Sequence, residues 1–313
     1  MAKKWEANRF GGPDVLELVD IDVPPPRSGE VVVDVRAAGM NPADYKHIAS
    51  GQNPRLLPLS LGFEVAGVIH AVGRQTEIAS GGGVAGDEVI AAQISGGYAT
   101  QVRVKAHNVF AKPKALSFAE ASGLILASST AAELLDVTGV GPHDTVLLHG
   151  ASGSVGLSAL QQAKLLGARV IGTAAEASFG IVQRFGGEPV RYGDGLEQRV
   201  RDLADGPVTV AIDTVGTEEA VDASLDLVRD RSRIVTTAAF RRAEAEGFRL
   251  VGGRNPASGP FRAKIRPDLI ELAATGQLEV PIGRTFPFTD APAALALLMS
   301  GHPGGKLVLT VES

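Results

Sequence analysis

At 313 residues, with 35 acidic against 30 basic side chains and a net charge of -5, the chain has room for two cored domains. It shows no basic excess for nucleic acid, and the absence of cysteine removes disulfides, thiolate nucleophiles and cysteine-ligated zinc. No apolar run of about 18 residues occurs and no apolar stretch follows the basic start MAKKWEANRF, so a cytoplasmic protein with no membrane partner is expected.

Residues 1 to about 117 read as β-rich. The patterning predicts strands over 30–40, 63–74, 89–92 and 98–104, with a turn at Gly86–Glu88. Gly67, inside the second strand, marks a bulge or a close backbone approach. Gly81–Gly83 is a loop, and Pro24–Pro26 a rigid connector. Many short strands between Gly and Pro turns argue for a barrel-like fold. From Ser117 the pattern turns helical. Ser117 and Glu120 have capping-box spacing, and 118–138 is rich in Ala and Leu.

The stretch 144–174, DTVLLHGASGSVGLSALQQAKLLGARVIGTA, reads as strand, tight turn, helix, strand. Thr145 to Leu148 is one buried strand. Leu157, Leu160, Ala163 and Leu166 recur at helical spacing and Gly167 closes the helix. Gly150, Gly153 and Gly156 punctuate the turn, with Ala151 at the first glycine position of the G-x-G-x-x-G pattern. A βαβ unit with glycines at its first turn is the dinucleotide-binding pattern. The helix N-terminus offers unpaired N–H groups and the positive dipole end to a phosphate, and a small turn lets it approach.

The tip of the second strand, Thr173–Ala174–Ala175, carries no acid to hold a ribose 2′-hydroxyl or repel a 2′-phosphate. NADPH is therefore expected over NADH, with Glu176 just beyond and within reach of a ribose. Further on, helices over 179–185, 196–203 and 218–228 alternate with strands over 189–192, 208–213 and 233–239. This predicts an α/β, doubly wound parallel sheet, with 233–239 at or near its edge. Helices over 267–274 and 291–299 follow, then a closing strand over 306–311 that returns to the first domain. His149, ending the first strand of the unit, reads as a packed or pyrophosphate-adjacent residue rather than a base.

Six stretches in this order resemble the zinc-free quinone oxidoreductase branch of the medium-chain dehydrogenase/reductase superfamily. They are RFGGPDVLEL, AAGMNPADYK at 37–46, LGFEVAGVIHAVG at 61–73, AGDEV at 85–89, HGASGSVG and GHPGGKLVLTV. The resemblance implies a GroES-like β-rich catalytic domain over 1–117 and 263–313. It implies a Rossmann domain over 118–262, a substrate cleft between the two, and a homodimer. Zinc-dependent relatives place a Cys after the AAG-like strand and a His–Glu pair later. Here Met40–Asn41 and Gly62–Phe63–Glu64 stand there, so no metal is expected.

The implied reaction is hydride transfer from NADPH to a quinone or an α,β-unsaturated carbonyl. The alternatives are an enoyl-thioester reductase and a nucleotide-binding protein with little catalysis. By resemblance, Asn41 and Thr130 contact the nicotinamide, and Tyr45 bonds a substrate oxygen or donates a proton. By residue type alone, Asn41 is a common Asn–Pro turn, Tyr45 a core aromatic and Thr130 a capping or back-bonding threonine. The remaining implied cofactor residues are Ala151, Ser152, Gly153, Ser154, Val155, Gly156, Thr173, Val215 and Phe240. Many relatives grip the 2′-phosphate with Ser and Lys just after the second strand. This chain has Ala175–Glu176–Ala177–Ser178, leaving Ser178, Arg191 and Tyr192 as substitutes. Phe240–Arg241–Arg242 replaces a small-residue loop, and the loops 52–57 and 240–260 are expected to line the substrate.

Overall fold

The computed structural model describes residues 1–51, 53–252, 255–301 and 304–312. Gln52, Gly253 and Arg254 of the two substrate-lining loops, and His302–Pro303 of the closing motif, lie outside the described residues. The chain divides into two compact units, 1–126 with 280–313, and 127–279. No helix among the described residues is long and apolar enough to cross a membrane.

The first unit is built on the strand Glu30–Gly39, of whose ten residues all but Asp34 and Arg36 are buried. Glu64–Val72 and Gln101–Lys105 pair with it antiparallel, and Glu88–Ala92 and Val109–Ala111 extend the sheet. Gly67 is a close approach: a methyl group there would stand 2.1 Å from the Asp34 carbonyl oxygen. The pairing register shifts next to it, between Val35 and Ala37. The closing strand Lys306–Thr310 pairs antiparallel with Glu30–Gly39, Val308 opposite Gly39, and carries Ile282–Pro287 parallel on its other side. The C-terminal segment thus completes the first unit's sheet.

The second unit is a parallel sheet. In spatial order its strands are Glu188–Arg191, Arg169–Ala174, Thr145–His149, Val210–Asp213, Ile234–Thr236 and Arg249–Leu250. Numbered along the chain from Thr145, that order is 3-2-1-4-5-6, the Rossmann order, with its topological switch beside Thr145–His149. The fold is α/β: a Rossmann sheet in one unit and a GroES-like β-rich unit beside it in sequence.

Several expectations change. The anticipated limits at 117/118 and 262/263 fall at 126/127 and 279/280. The helix Phe118–Ser122 stays with the first unit because Gly39 lets its backbone pass: a methyl there would meet Ser122 O at 2.2 Å. Residues 263–279 stay with the second unit. Arg262 is paired with Glu133 at 2.6 Å, and Gln161 bonds both backbone groups of Glu279, at 2.7 and 3.1 Å. The helix expected from Pro267 spans Ser258–Ala274 and runs through the proline, which forgoes one backbone bond. The strand over 233–239 shortens to Ile234–Thr236, because the Thr236 hydroxyl accepts from the N–H groups of Ala238 and Ala239 and turns the chain. Arg249–Leu250 then lies outside it. The expected loop at Phe240 is the helix Phe240–Glu246, closed by Gly247 at φ 72°.

Candidate functional site

The site starts at the carboxyl end of Thr145–His149, the switch point where open parallel sheets hold their ligands. Gly150 turns the chain with φ 79°, and a methyl there would lie 2.5 Å from Thr214 Oγ1 and 2.8 Å from Val215 Cγ2. Gly156 allows the helix Ser154–Leu165 to sit on the turn: its methyl would stand 2.2 Å from Gly150 O. Gly153, the N-cap, is different. A methyl there would touch only Gly150 O, at 3.4 Å, so the approach to the helix end is open. Gly153 also has no side chain to cap the first-turn N–H groups of Ser154, Val155 and Gly156. That combination fits a pyrophosphate.

Ala151, at the first glycine position, is buried and donates its N–H to Thr173 O at 3.0 Å. Gly172 makes room for it, since a methyl on Gly172 would meet Ala151 Cβ at 2.6 Å. The glycine the pattern lacks has thus moved to the neighbouring strand, a compensation that periodicity does not reveal. Thr173 is buried, and its hydroxyl oxygen accepts from Gly150 N–H at 3.2 Å. It shapes the turn from beneath. Ser152, Ser154 and Val155 are partly exposed on the turn.

Asp213, unremarked in the sequence beyond ending its strand, holds the adjoining turn. Its buried carboxylate accepts from the N–H groups of Val215 and Gly216, both at 2.9 Å, and from the Thr236 hydroxyl at 2.7 Å. This sets half-exposed Val215 against the glycine turn. His149 is packed: burial pushes its pKa down to about 4, against the opposing pull of Asp213. Ser224 Oγ gives its proton to Ala220 O at 2.7 Å, so at 3.1 Å it accepts from His149 Nε2–H. With Nε2 committed in this way, the ring packs at the strand end.

The cofactor's second strand ends at buried Ala174, in register with Arg191. Beyond it Glu176 Oε1 and Arg191 Nη1 stand 3.5 Å apart, both well exposed. Ser178 closes the short turn Glu176–Ser178, and Tyr192 is 45% exposed. Arg199, missed in the sequence, donates to the carbonyls of Arg191, Gly193 and Asp194 and holds the loop that carries Arg191 and Tyr192. Thr130 is buried on the helix Leu124–Thr138, and Phe240 opens its own helix.

In the first unit Asn41 precedes the helix Pro42–Ala49, and Asp44 on that helix accepts its backbone N–H at 2.7 Å. The Asn41 amide is engaged internally: Nδ2 donates to Gly39 O at 3.3 Å and Glu64 Oε1 at 3.1 Å, and Oδ1 accepts from Lys306 Nζ at 2.7 Å. Tyr45, on the same helix, is partly buried against the first unit's core. Buried Asp44 also accepts from Tyr98 OH at 2.8 Å and Gly62 N–H at 3.1 Å. Desolvation pushes its pKa up to about 6, and desolvation likewise raises that of Tyr98.

The alcohol dehydrogenase GroES-like domain family matches residues 27–114, and the zinc-binding dehydrogenase family matches 188–309. The chain is 35% identical to a quinone oxidoreductase of Salmonella typhimurium, over 75% of this chain and 72% of that protein. It is 32% identical to the spectinabilin polyketide synthase system protein NorB of Streptomyces orinoci over 99% of this chain, which spans 14% of NorB. The crystal structure of Escherichia coli quinone oxidoreductase complexed with NADPH superposes with a TM-score of 0.86 at 27% identity, covering 98% of this chain and 99% of that one. The residues present do not fit zinc. Cysteine is absent, and among the described residues no three His, Asp or Glu side chains are grouped to hold a metal. The glycine turn, the strand order and these relatives agree: the chain belongs to the medium-chain dehydrogenase/reductase superfamily, in its quinone oxidoreductase branch.

Proposed function

We propose that this oxidoreductase transfers hydride from NADPH to a quinone or an α,β-unsaturated carbonyl without a metal. The observation that carries the reading is the open N-terminus of Ser154–Leu165 at the carboxyl end of the central strand, where Gly153 leaves room for a pyrophosphate. The nicotinamide supplies the hydride. The chain's part is to bind and align. The N–H groups of the first helical turn hold phosphate, and Asp213 fixes Val215 beside the turn. Thr130 contacts the nicotinamide, and Tyr45 bonds or protonates the substrate oxygen. Asn41 acts through its links to Lys306 and Glu64, because its amide is already bonded there. With no cation to polarise a simple ketone, conjugated acceptors are favoured, since conjugation spreads the incoming charge. The quinone oxidoreductase relatives and the NADPH complex of the Escherichia coli protein support this reading.

The alternative reading is reduction of an enoyl thioester, a conjugated carbonyl that spreads the incoming charge in the same way. One screen separates the readings: NADPH oxidation with quinones, enals and enoyl thioesters. Quinone or enal turnover supports the first reading, and a dominant thioester rate supports the second. NADPH binding with no oxidation by any acceptor indicates a binding protein. We further propose a homodimer formed through the sheet edge at Arg249–Leu250. Light scattering showing only monomer at micromolar concentration would remove it.

A further inference from the structure

We propose that Glu176 and Arg191 form a charge pair that reads the 2′ position of the bound nucleotide in both senses. The chain then accepts NADPH and NADH with a shallow preference set by the pair. This deepens the cofactor reading above and rests on it.

The placement comes from the sheet. A nucleotide whose pyrophosphate sits at Ser154–Leu165 lays its adenosine ribose over the end of the next strand, Arg169–Ala174. Ala174 is buried and has no polar group. The first charged side chain past the strand is Glu176, and the neighbouring strand delivers Arg191 in register with Ala174. The two meet at 3.5 Å with side chains 69% and 67% exposed, a single loose contact on an open surface.

The two groups favour opposite ligands. A carboxylate accepts from a ribose 2′-hydroxyl and repels a 2′-phosphate. A guanidinium binds the phosphate through two N–H groups and gains little from the hydroxyl. Because the exposed pair is weak, either partner can turn to the nucleotide at small cost. Arg199 is the contrast: its guanidinium is committed to the carbonyls of Arg191, Gly193 and Asp194. It fixes the backbone under Arg191 and leaves the Arg191 side chain facing solvent. Glu176 therefore limits the NADPH preference that Arg191 would confer alone.

The test is calorimetric titration of NADPH and NADH into the intact protein and into Glu176→Gln and Arg191→Gln. The readout is the ratio of the two dissociation constants, which general damage to the fold leaves unchanged. The unmodified protein should favour NADPH by less than about tenfold, below the roughly ten- to hundredfold that one unopposed charge-assisted contact would confer. Glu176→Gln should raise that preference about tenfold, tightening NADPH and weakening NADH, and Arg191→Gln should lower or invert it. The fragments 2′,5′-ADP and 5′-AMP should follow the same order in thermal-shift measurements. Ratios unmoved in both variants would overturn the proposal while leaving the cofactor reading intact. Failure of both dinucleotides to bind the unmodified protein would overturn both.

Discussion

Lys306 and Glu64 form an ion pair of 2.6 Å whose side chains are 1% and 0% exposed, 242 positions apart in the chain. The pair is completed on each side. Lys306 Nζ also donates to Asn41 Oδ1, and Glu64 Oε2 accepts from Leu126 N–H at 2.9 Å. Two glycines clear a path for the lysine stem: a methyl on Gly123 would lie 2.7 Å from its Cγ, and one on Gly39 would lie 3.0 Å from its Cε.

Removing one member strands a buried charge, which costs about 3–5 kcal/mol. Lys306→Met should lose that much, read by urea unfolding through Trp5. This is the chain's one tryptophan, buried in the same unit with its indole N–H bonded to Phe288 O. Adding Glu64→Gln to Lys306→Met should recover part of the loss. A Lys306→Met cost under about 1 kcal/mol would show that the pair does not hold the unit together.

Asp44 predicts a pH dependence of the same unit. Its folded pKa, raised to about 6 by burial, lies above the ordinary 3.8, so the folded state holds the proton more tightly. The group's contribution is full below about pH 4 and is lost as pH rises through about 6, a change of about 3 kcal/mol. Subtracting the Asp44→Asn unfolding profile from that of the unmodified protein should expose this fall. Parallel profiles from pH 4 to 7 would contradict it.

The glycine turn separates a binding role from a packing role. Gly153→Val places its side chain in the open approach, so it should leave unfolding within about 1 kcal/mol of the unmodified protein. It should weaken NADPH binding at least tenfold, or about 1.4 kcal/mol. Gly156→Val forces carbon into the Gly150 carbonyl and should destabilise the second unit by about 3 kcal/mol or more. Calorimetric binding and thermal unfolding should separate the two variants: Gly153→Val loses binding at nearly unchanged stability, whereas Gly156→Val loses stability itself. Equal binding losses at equal stability would remove the distinction.

The proposed metal-free reaction has a direct test. Protein purified and analysed by elemental mass spectrometry should carry no stoichiometric zinc, and chelators should leave NADPH oxidation unchanged. One firmly bound zinc per chain, lost together with activity, would contradict it.

The sequence by itself determined what is local. The apolar run from Thr145, the helical spacing from Leu157 and the three turn glycines are set by backbone sterics and by period, so the dinucleotide unit is legible from its residues. Alternating strands and helices likewise imply a parallel sheet. Tertiary structure decided what depends on distant partners. Gly172 makes room for Ala151 only because two strands lie side by side, and Arg199 holds the Arg191 loop only after its helix has packed. Asn41 is an ordinary turn residue by its neighbours. Its amide is bonded to Glu64 and Lys306 because the strand Lys306–Thr310 returns to Glu30–Gly39. Burying an ammonium and a carboxylate together is tolerable only where every donor and acceptor finds a partner, and sequence spacing carries no record of that meeting.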